Sequence, residues 1–263
     1  MSVGSATTER TELAYRQAAR LISTSHYTVA LTGAGISTPS GIPDFRTPGS
    51  GLWERYDPAA AASLTTFRYS PHQFYEWVRS LMGEWIEAEP NPAHLALVGL
   101  ECAGRLQCLV TQNIDGLHRR AGSRRILCLH GTMDSATCGS CYRQTGSEQV
   151  FTALRTPGAL PRCTCCGGVL KPDVILFGEQ LPRATLDEAR SEFRRAELIL
   201  VAGSSLEVVP AASLPLEGIE RGAHLIILNR IPTYLDERAD IVLHQDVAHS
   251  LPALVRLALD DNR

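Results

Sequence analysis

The sequence predicts an α/β protein: a doubly wound parallel sheet with a smaller domain formed by two insertions. Three observations predict it. Short apolar runs without strict in–out alternation recur along the chain, as strands buried on both faces do. Helical segments separate most of these runs, and two stretches of different composition interrupt the alternation. At 263 residues the chain is long enough for one large domain plus such an insert.

Residues 11–25 read as an amphipathic helix, with Leu13, Ala14, Gln17, Ala18 and Leu21 on one side. The helix leads into 28–32, a short apolar strand stopped by glycine. Further buried-strand candidates are 106–111, 126–129, 174–177, 198–202, 225–229 and 241–244. The helices between them are 91–102, 114–121, 183–195, 210–221 and 247–259. The first interruption, 56–89, is helical and aromatic; the second, 135–168, holds five of the eight cysteines. The expected division is therefore 1–55, 90–134 and 169–263 for the large domain. The insertions 56–89 and 135–168 together make the small one.

A net charge of -3 and a pI near 6.2 argue against a nucleic-acid binder that works by bulk electrostatics. The first ten residues lack the basic start and apolar run of a signal peptide. No apolar stretch reaches the ~18 to 20 residues that cross a bilayer. These features lead us to expect a cytoplasmic protein without a membrane partner, a compartment where structural disulfides are rare. The cysteines then need another explanation.

Cys138 and Cys141 form one C-x-x-C pair and Cys163 and Cys166 a second, with 21 residues between the pairs. Two such turns place four thiolates around one ion, the spacing of a closed, structural zinc site. The segment is too poor in apolar residues for these to be core cysteines. Cys165 lies inside the second pair, and the two-residue gap favours Cys163 and Cys166 as the ligands. Cys102, Cys108 and Cys128 fall in expected helix or strand, where cysteine acts as a small apolar residue.

The first strand runs into Gly33-Ala34-Gly35, a turn that lets backbone N–H groups approach a pyrophosphate at a helix start. It departs from the dehydrogenase fingerprint, since Thr38 occupies the third glycine position. No carboxylate ends a second strand ~20 residues on, which disfavours hydride transfer. The following Asp44-Phe45-Arg46 makes sense as a loop over a dinucleotide. Its arginine would meet phosphate, its ring would shield a reacting sugar, and its carboxylate would accept from a hydroxyl or amide.

Polar side chains cluster at strand ends. Gln112, Asn113 and Asp115 close one, His130 another, Gly203-Ser204-Ser205 a third and Asn229 a fourth. In an open parallel sheet these ends converge on one edge, where ligands bind. A histidine there is the natural proton acceptor near neutrality.

These motifs resemble those of the sirtuin family, NAD-dependent protein deacetylases, of bacterial type. Residues 33–37, 41–46, 111–115, 130–131, the two cysteine pairs, 174–179 and 203–205 match in order. The resemblance implies NAD and an acyl-lysine protein or peptide entering one cleft from opposite sides. It places Gly33, Ala34, Gly35, Asp44, Phe45 and Arg46 in the NAD loop. It gives Gln112, Asn113, Ile114 and Asp115 the nicotinamide ribose and amide, with Asn113 and Asp115 also catalytic. Gly203, Ser204, Ser205, Asn229 and Val247 take the adenosine half. Ile175, Phe177, Gly178 and Glu179 pair with an extended peptide by strand addition.

The implied reaction has the acyl oxygen attack C1′ of the ribose as nicotinamide leaves. His130 then accepts a ribose proton, and the products are free lysine and O-acyl-ADP-ribose. Sirtuins preferring succinyl or malonyl groups carry Tyr and, three residues on, Arg. Here Tyr75 is followed by Val78 in that place and Arg79 one later, about 100° further around a helix, which favours acetyl or another neutral group. Alternatives are a desuccinylase or demalonylase, a mono-ADP-ribosyltransferase using the same NAD site, a zinc-ribbon protein sensing NAD, and a Rossmann dehydrogenase.

Overall fold

A computed structural model describes residues 3–44, 51–52 and 56–260. Helix α1 (Val3–Thr24) leads into strand β1 (Thr28–Thr32). Next come α2 (Pro58–Ala61), α3 (Leu64–Tyr69), α4 (Pro71–Glu87), α5 (Pro92–Cys102), β2 (Cys108–Thr111), α6 (Leu117–Ala121) and β3 (Ile126–Cys128). β4 (Gly131–Cys138), β5 (Gln144–Gly146), α7 (Glu148–Leu154) and β6 (Leu170–Val174) follow. The chain continues through α8 (Arg183–Arg195), β7 (Leu198–Ala202), α9 (Leu214–Ile219), β8 (His224–Leu228), β9 (Ile241–Leu243) and α10 (Val247–Asp260).

Six strands form one parallel sheet in the order β3-β2-β1-β7-β8-β9. The winding reverses between β1 and β7, and the crevice above that switch point is where such sheets bind ligands. Both central strands are buried along their whole length, which is why their residues are apolar without alternation. Ala30, Leu200 and Ile226 face Ala18, Ile22, Leu97 and Leu251 of the helices on one side. Val29, Leu31, Ile199 and Val201 face Phe193 and Leu214 on the other. Each fully buried Leu or Ile contributes about 1.5–3 kcal/mol by leaving water.

The small sheet is antiparallel, β5-β4-β6, and α4 lays Phe74, Tyr75, Val78 and Met82 against Met133, Ala136, Leu170 and Val174. One expectation fails here. Residues 174–177 are not a strand of the parallel sheet. The strand is Leu170–Val174, paired with β4, and the chain then leaves the sheet, with Phe177 bridging Ser63. Pro172 explains part of this, because a proline lacks the N–H a central strand needs and tolerates an edge, which β6 is. The helix expected from residue 114 begins at Leu117: Gly116, at φ +73, is its N-cap, and Asp115 Oδ1 accepts from the Leu117 N–H at 2.8 Å in a turn that precedes the helix. Among the described residues no helix is long and apolar enough to cross a membrane.

Candidate active site

The floor of the site is a crossing of two turns. Gly35 N donates to Gly203 O at 2.8 Å, and Gly203 N donates to Leu228 O at 2.9 Å. A Cβ on Gly35 would sit 2.9 Å from Gly203 O. One on Gly203, which has φ +64, would sit 2.2 Å from Ile36 N. The glycines are thus fixed by backbone against backbone before any ligand is considered.

Above this crossing opens a cleft of about 880 Å³. Gly33, Ala34, Gly35 and Asp44 line it from the first turn, and Gln112, Asn113, Ile114 and Asp115 from the end of β2. His130 follows β3. Gly203, Ser204 and Ser205 follow β7, Asn229 follows β8, and Val247 opens α10. Ile175, Phe177, Gly178 and Glu179 form part of the opposite wall. Phe45 and Arg46 lie outside the described residues.

Ser37, 1% exposed, knits the catalytic candidates together. Its hydroxyl donates to Asp115 Oδ2 at 2.7 Å and accepts from Asn113 Nδ2 at 3.1 Å; Asn113 Nδ2 also donates to Gly33 O at 3.1 Å. Burial pushes the Asp115 carboxyl above its ordinary value, opposed by the bonds from Leu117 N–H and Ser37. Gln112 Nε2 donates to Ser204 Oγ at 2.9 Å. The half-buried His130 has Nδ1 2.9 Å from Gln112 O. A carbonyl only accepts, so Nδ1 carries the hydrogen and Nε2 is left with the basic lone pair.

Behind Asn113 lies a pair of histidines that sequence reasoning did not single out. His94 and His118 are 0% and 3% exposed, with ring centroids 4.8 Å apart. His118 Nε2 is 2.9 Å from Thr32 Oγ1, which donates to Thr111 Oγ1 at 2.8 Å; Thr111 Oγ1 in turn accepts from Asn113 N at 3.1 Å. Burial lowers His94 to about 4 and His118 to about 3, so both are neutral near pH 7. Neither histidine lies in a sequence pattern of its own; only the fold reveals that they face each other.

Phe74, Trp77, Val78 and Met133 give the cleft an apolar end. Tyr75 is fully buried and its hydroxyl donates to Leu170 O. Arg79 donates to Leu154 O, Thr156 O and Ala159 O at 2.9, 3.0 and 3.1 Å, which turns it away from the cleft.

The Sγ atoms of Cys138, Cys141, Cys163 and Cys166 all lie within 4.8 Å of one another, with 3.5 Å between Cys138 and Cys166 and 3.7 Å between Cys141 and Cys163. Bonds of ~2.3 Å to a tetrahedral zinc ion set sulfurs ~3.8 Å apart, so the donor set fits that metal. Backbone N–H groups of Cys141 and Ser140 point at the Cys138 sulfur and hold its thiol below the ordinary value. Cys165 is exposed and outside the group. Cys108 is a buried apolar thiol, as expected, whereas Cys102 is exposed at the end of α5 and packs no core.

The Sir2 family model matches residues 33–210. An NAD-dependent protein deacetylase of Sulfurisphaera tokodaii is 46% identical over 235 residues, 89% of this chain and 92% of that protein. One of Geobacillus kaustophilus is 44% identical over 225 residues, 85% and 90% of the two chains. Among solved structures, a Sir2 homologue–NAD complex superposes with a TM-score of 0.85 at 42% identity, covering 93% of this chain and 94% of the other. A Sir2 protein with deacetylated p53 peptide and 3′-O-acetyl-ADP-ribose gives 0.84 at 37% identity, covering 92% and 96%. With the crossed glycine turns, the strand-end polar groups and the four-thiol cluster in place, the chain belongs to the Sir2 family, the sirtuins.

Proposed function

We infer that this chain is an NAD-dependent protein-lysine deacylase, yielding free lysine, nicotinamide and O-acyl-ADP-ribose. The observation that carries the reading is His130, its Nδ1–H committed to Gln112 O, in one cleft with the Asn113–Ser37–Asp115 cluster. The relatives' activity and the Sir2 complexes with NAD and with product support it.

NAD, when bound, supplies the ribose carbon that receives the acyl oxygen and the nicotinamide that leaves. The chain's own residues orient and move protons. His130 Nε2 takes a proton from a ribose hydroxyl, which makes that oxygen a nucleophile. Asn113 and Asp115, held by Ser37, face the nicotinamide ribose and carboxamide and favour positive charge developing nearby. Gly203, Ser204, Ser205, Asn229 and Val247 take the adenosine half, and Ala34, Gly35 and Asp44 the loop over the cofactor, with Phe45 and Arg46 beyond them. The acyl-lysine peptide lies along Ile175–Glu179.

The acyl group is neutral. Arg79 is spent on three carbonyls and Tyr75 on a fourth, so neither meets a terminal carboxylate. Zinc on the four thiolates holds the small module, residues 56–89 and 135–168, beside the NAD-binding remainder. A cytoplasmic location belongs to the same reading, since the metal site needs reduced thiols.

The test is incubation with NAD and acetyl-, propionyl- and succinyl-lysine peptides, with mass spectrometry of the products. O-acyl-ADP-ribose from the neutral peptides is the expected result. ADP-ribose attached to protein, without peptide deacylation, would assign a mono-ADP-ribosyltransferase instead.

A further inference from the structure

The chain has 25 Lys and Arg side chains, and Lys171 is its only lysine. Every other basic side chain is arginine, and the surroundings of this one ammonium suit it. Lys171 Nζ donates to Val174 O at 2.7 Å and to Pro172 O at 3.3 Å, and pairs with Glu179 Oε2 at 3.0 Å. The two side chains are only 18% and 21% exposed. Three acceptors converge on one point, which suits the three donors of a compact ammonium; a planar guanidinium spreads its donors in a fork and cannot reproduce it.

Glu179 is spent in the same knot. Its Oε2 accepts from Leu176 N at 2.8 Å, while Glu179 N donates back to Leu176 O at 2.9 Å. On either side, Ile175 N donates to His130 O at 2.8 Å and Phe177 N to Ala62 O at 2.9 Å. The backbone from 174 to 179 is therefore held at several points by main chain, Leu64 N to Phe177 O at 3.0 Å among them, and the Lys171–Glu179 pair ties its two ends together.

We propose that Lys171 and Glu179 are positioning residues for the peptide: their ion pair sets the shape of the 174–179 turn that receives the acyl-lysine segment, and the Glu179 carboxylate acts through Lys171 while its backbone is left to the peptide. This rests on the reading of 174–179 as the peptide wall. Removing either partner leaves a partly buried charge unpaired and frees the Leu176 N–H or the Val174 carbonyl, so the turn loses its set. The cofactor turn beyond the crossed glycines makes none of these bonds.

The experiment uses the zinc-loaded full chain and a fluorescent acetyl-lysine peptide. It measures peptide binding by anisotropy, and separately KM for peptide, KM for NAD and kcat, for wild type, Lys171→Met, Lys171→Arg and Glu179→Gln. Losing one charge-assisted bond predicts peptide Kd and KM roughly ten- to a hundredfold higher in all three variants. KM for NAD should stay within about threefold. Glu179→Gln keeps the lysine and its carbonyl contacts, so it reports even where Lys171→Met fails to fold. Peptide affinity restored by Lys171→Arg would overturn the proposal. So would a defect in Glu179→Gln with none in the Lys171 variants, which would make the Glu179 carboxylate a direct substrate contact. Parallel loss of both KM values and kcat would reduce the pair to a folding element. Wild type that binds no acetyl-lysine peptide sinks the peptide-wall reading itself, a failure visible before any variant is made.

Discussion

Lowering the pH should unfold this protein through His94 and His118. Both have folded-state values depressed below the ordinary 6.5, to about 4 and about 3, with burial the main cause. The unfolded chain therefore binds more protons than the folded one between about pH 6.5 and 4. Stability from this pair is complete above pH 6.5 and is lost as pH falls through that window. Each histidine contributes a slope of up to about 1.4 kcal/mol per pH unit, so two units of acidification cost on the order of 5 kcal/mol. That is a large part of a typical folding stability of ~5–15 kcal/mol. The assay is urea unfolding from pH 7.5 to 5, comparing wild type with His94→Gln and His118→Gln. Each variant should start less stable and lose stability less steeply, by about one histidine's share of the slope. Other acid-sensitive groups, the zinc thiolates among them, are common to all three proteins and drop out of the comparison. Equal slopes in wild type and variants would refute the reasoning, and would mean that the imidazoles are protonated within the fold.

Three further outcomes follow from the site. His130→Ala should lose ~10²- to 10⁴-fold in kcat, the usual worth of a general base, while acetyl-peptide binding by anisotropy is retained. Gly203→Ala should lower the melting temperature by several degrees and weaken NAD binding, because its Cβ would meet Ile36 N at 2.2 Å from a φ of +64; an unchanged melting temperature contradicts this. Cys141→Ser should drop zinc, measured by atomic absorption, from one ion per chain to a small fraction, with loss of near-ultraviolet dichroism from the aromatic small module.

Much of the site was legible because its residues stand at strand ends, where apolar runs break into polar ones. Gln112, Asn113, Asp115, His130 and Ser204 announce themselves in this way, and all line the cleft. Ser37 was harder. It follows Ile36 within the glycine turn, and nothing local says that its hydroxyl reaches 78 positions along the chain to Asp115. His94 and His118 carry even less signal, since one sits in the first turn of α5 and the other in α6, and only tertiary packing opposes them. The misplaced strand at 174–177 has a similar cause. Four apolar residues fit either sheet, and what decides between them is the pairing of Leu170–Val174 with β4, a long-range fact.

That pairing gives the zinc site a bearing on chemistry it does not touch. His130 ends the large sheet's side of the chain and Gly131 begins β4, so the proposed proton acceptor stands at the seam of two sheets. Gly131 has φ +77, and a Cβ there would lie 2.0 Å from Asp173 O, so the seam tolerates no other residue without moving β6. At the far end of β4, Cys138 is in register with Leu170 of β6 and contributes to the four-thiol cluster. A metal held by Cys138 at the end of β4, by Cys141 just past it and by Cys163 and Cys166 ahead of β6 fastens this end of the strand pair, at whose other end Ile175 N meets His130 O at 2.8 Å. Loss of the ion should therefore reach the active site as a displacement of His130, with kcat falling before the six-stranded sheet unfolds, because the parallel sheet's apolar faces owe nothing to the thiolates.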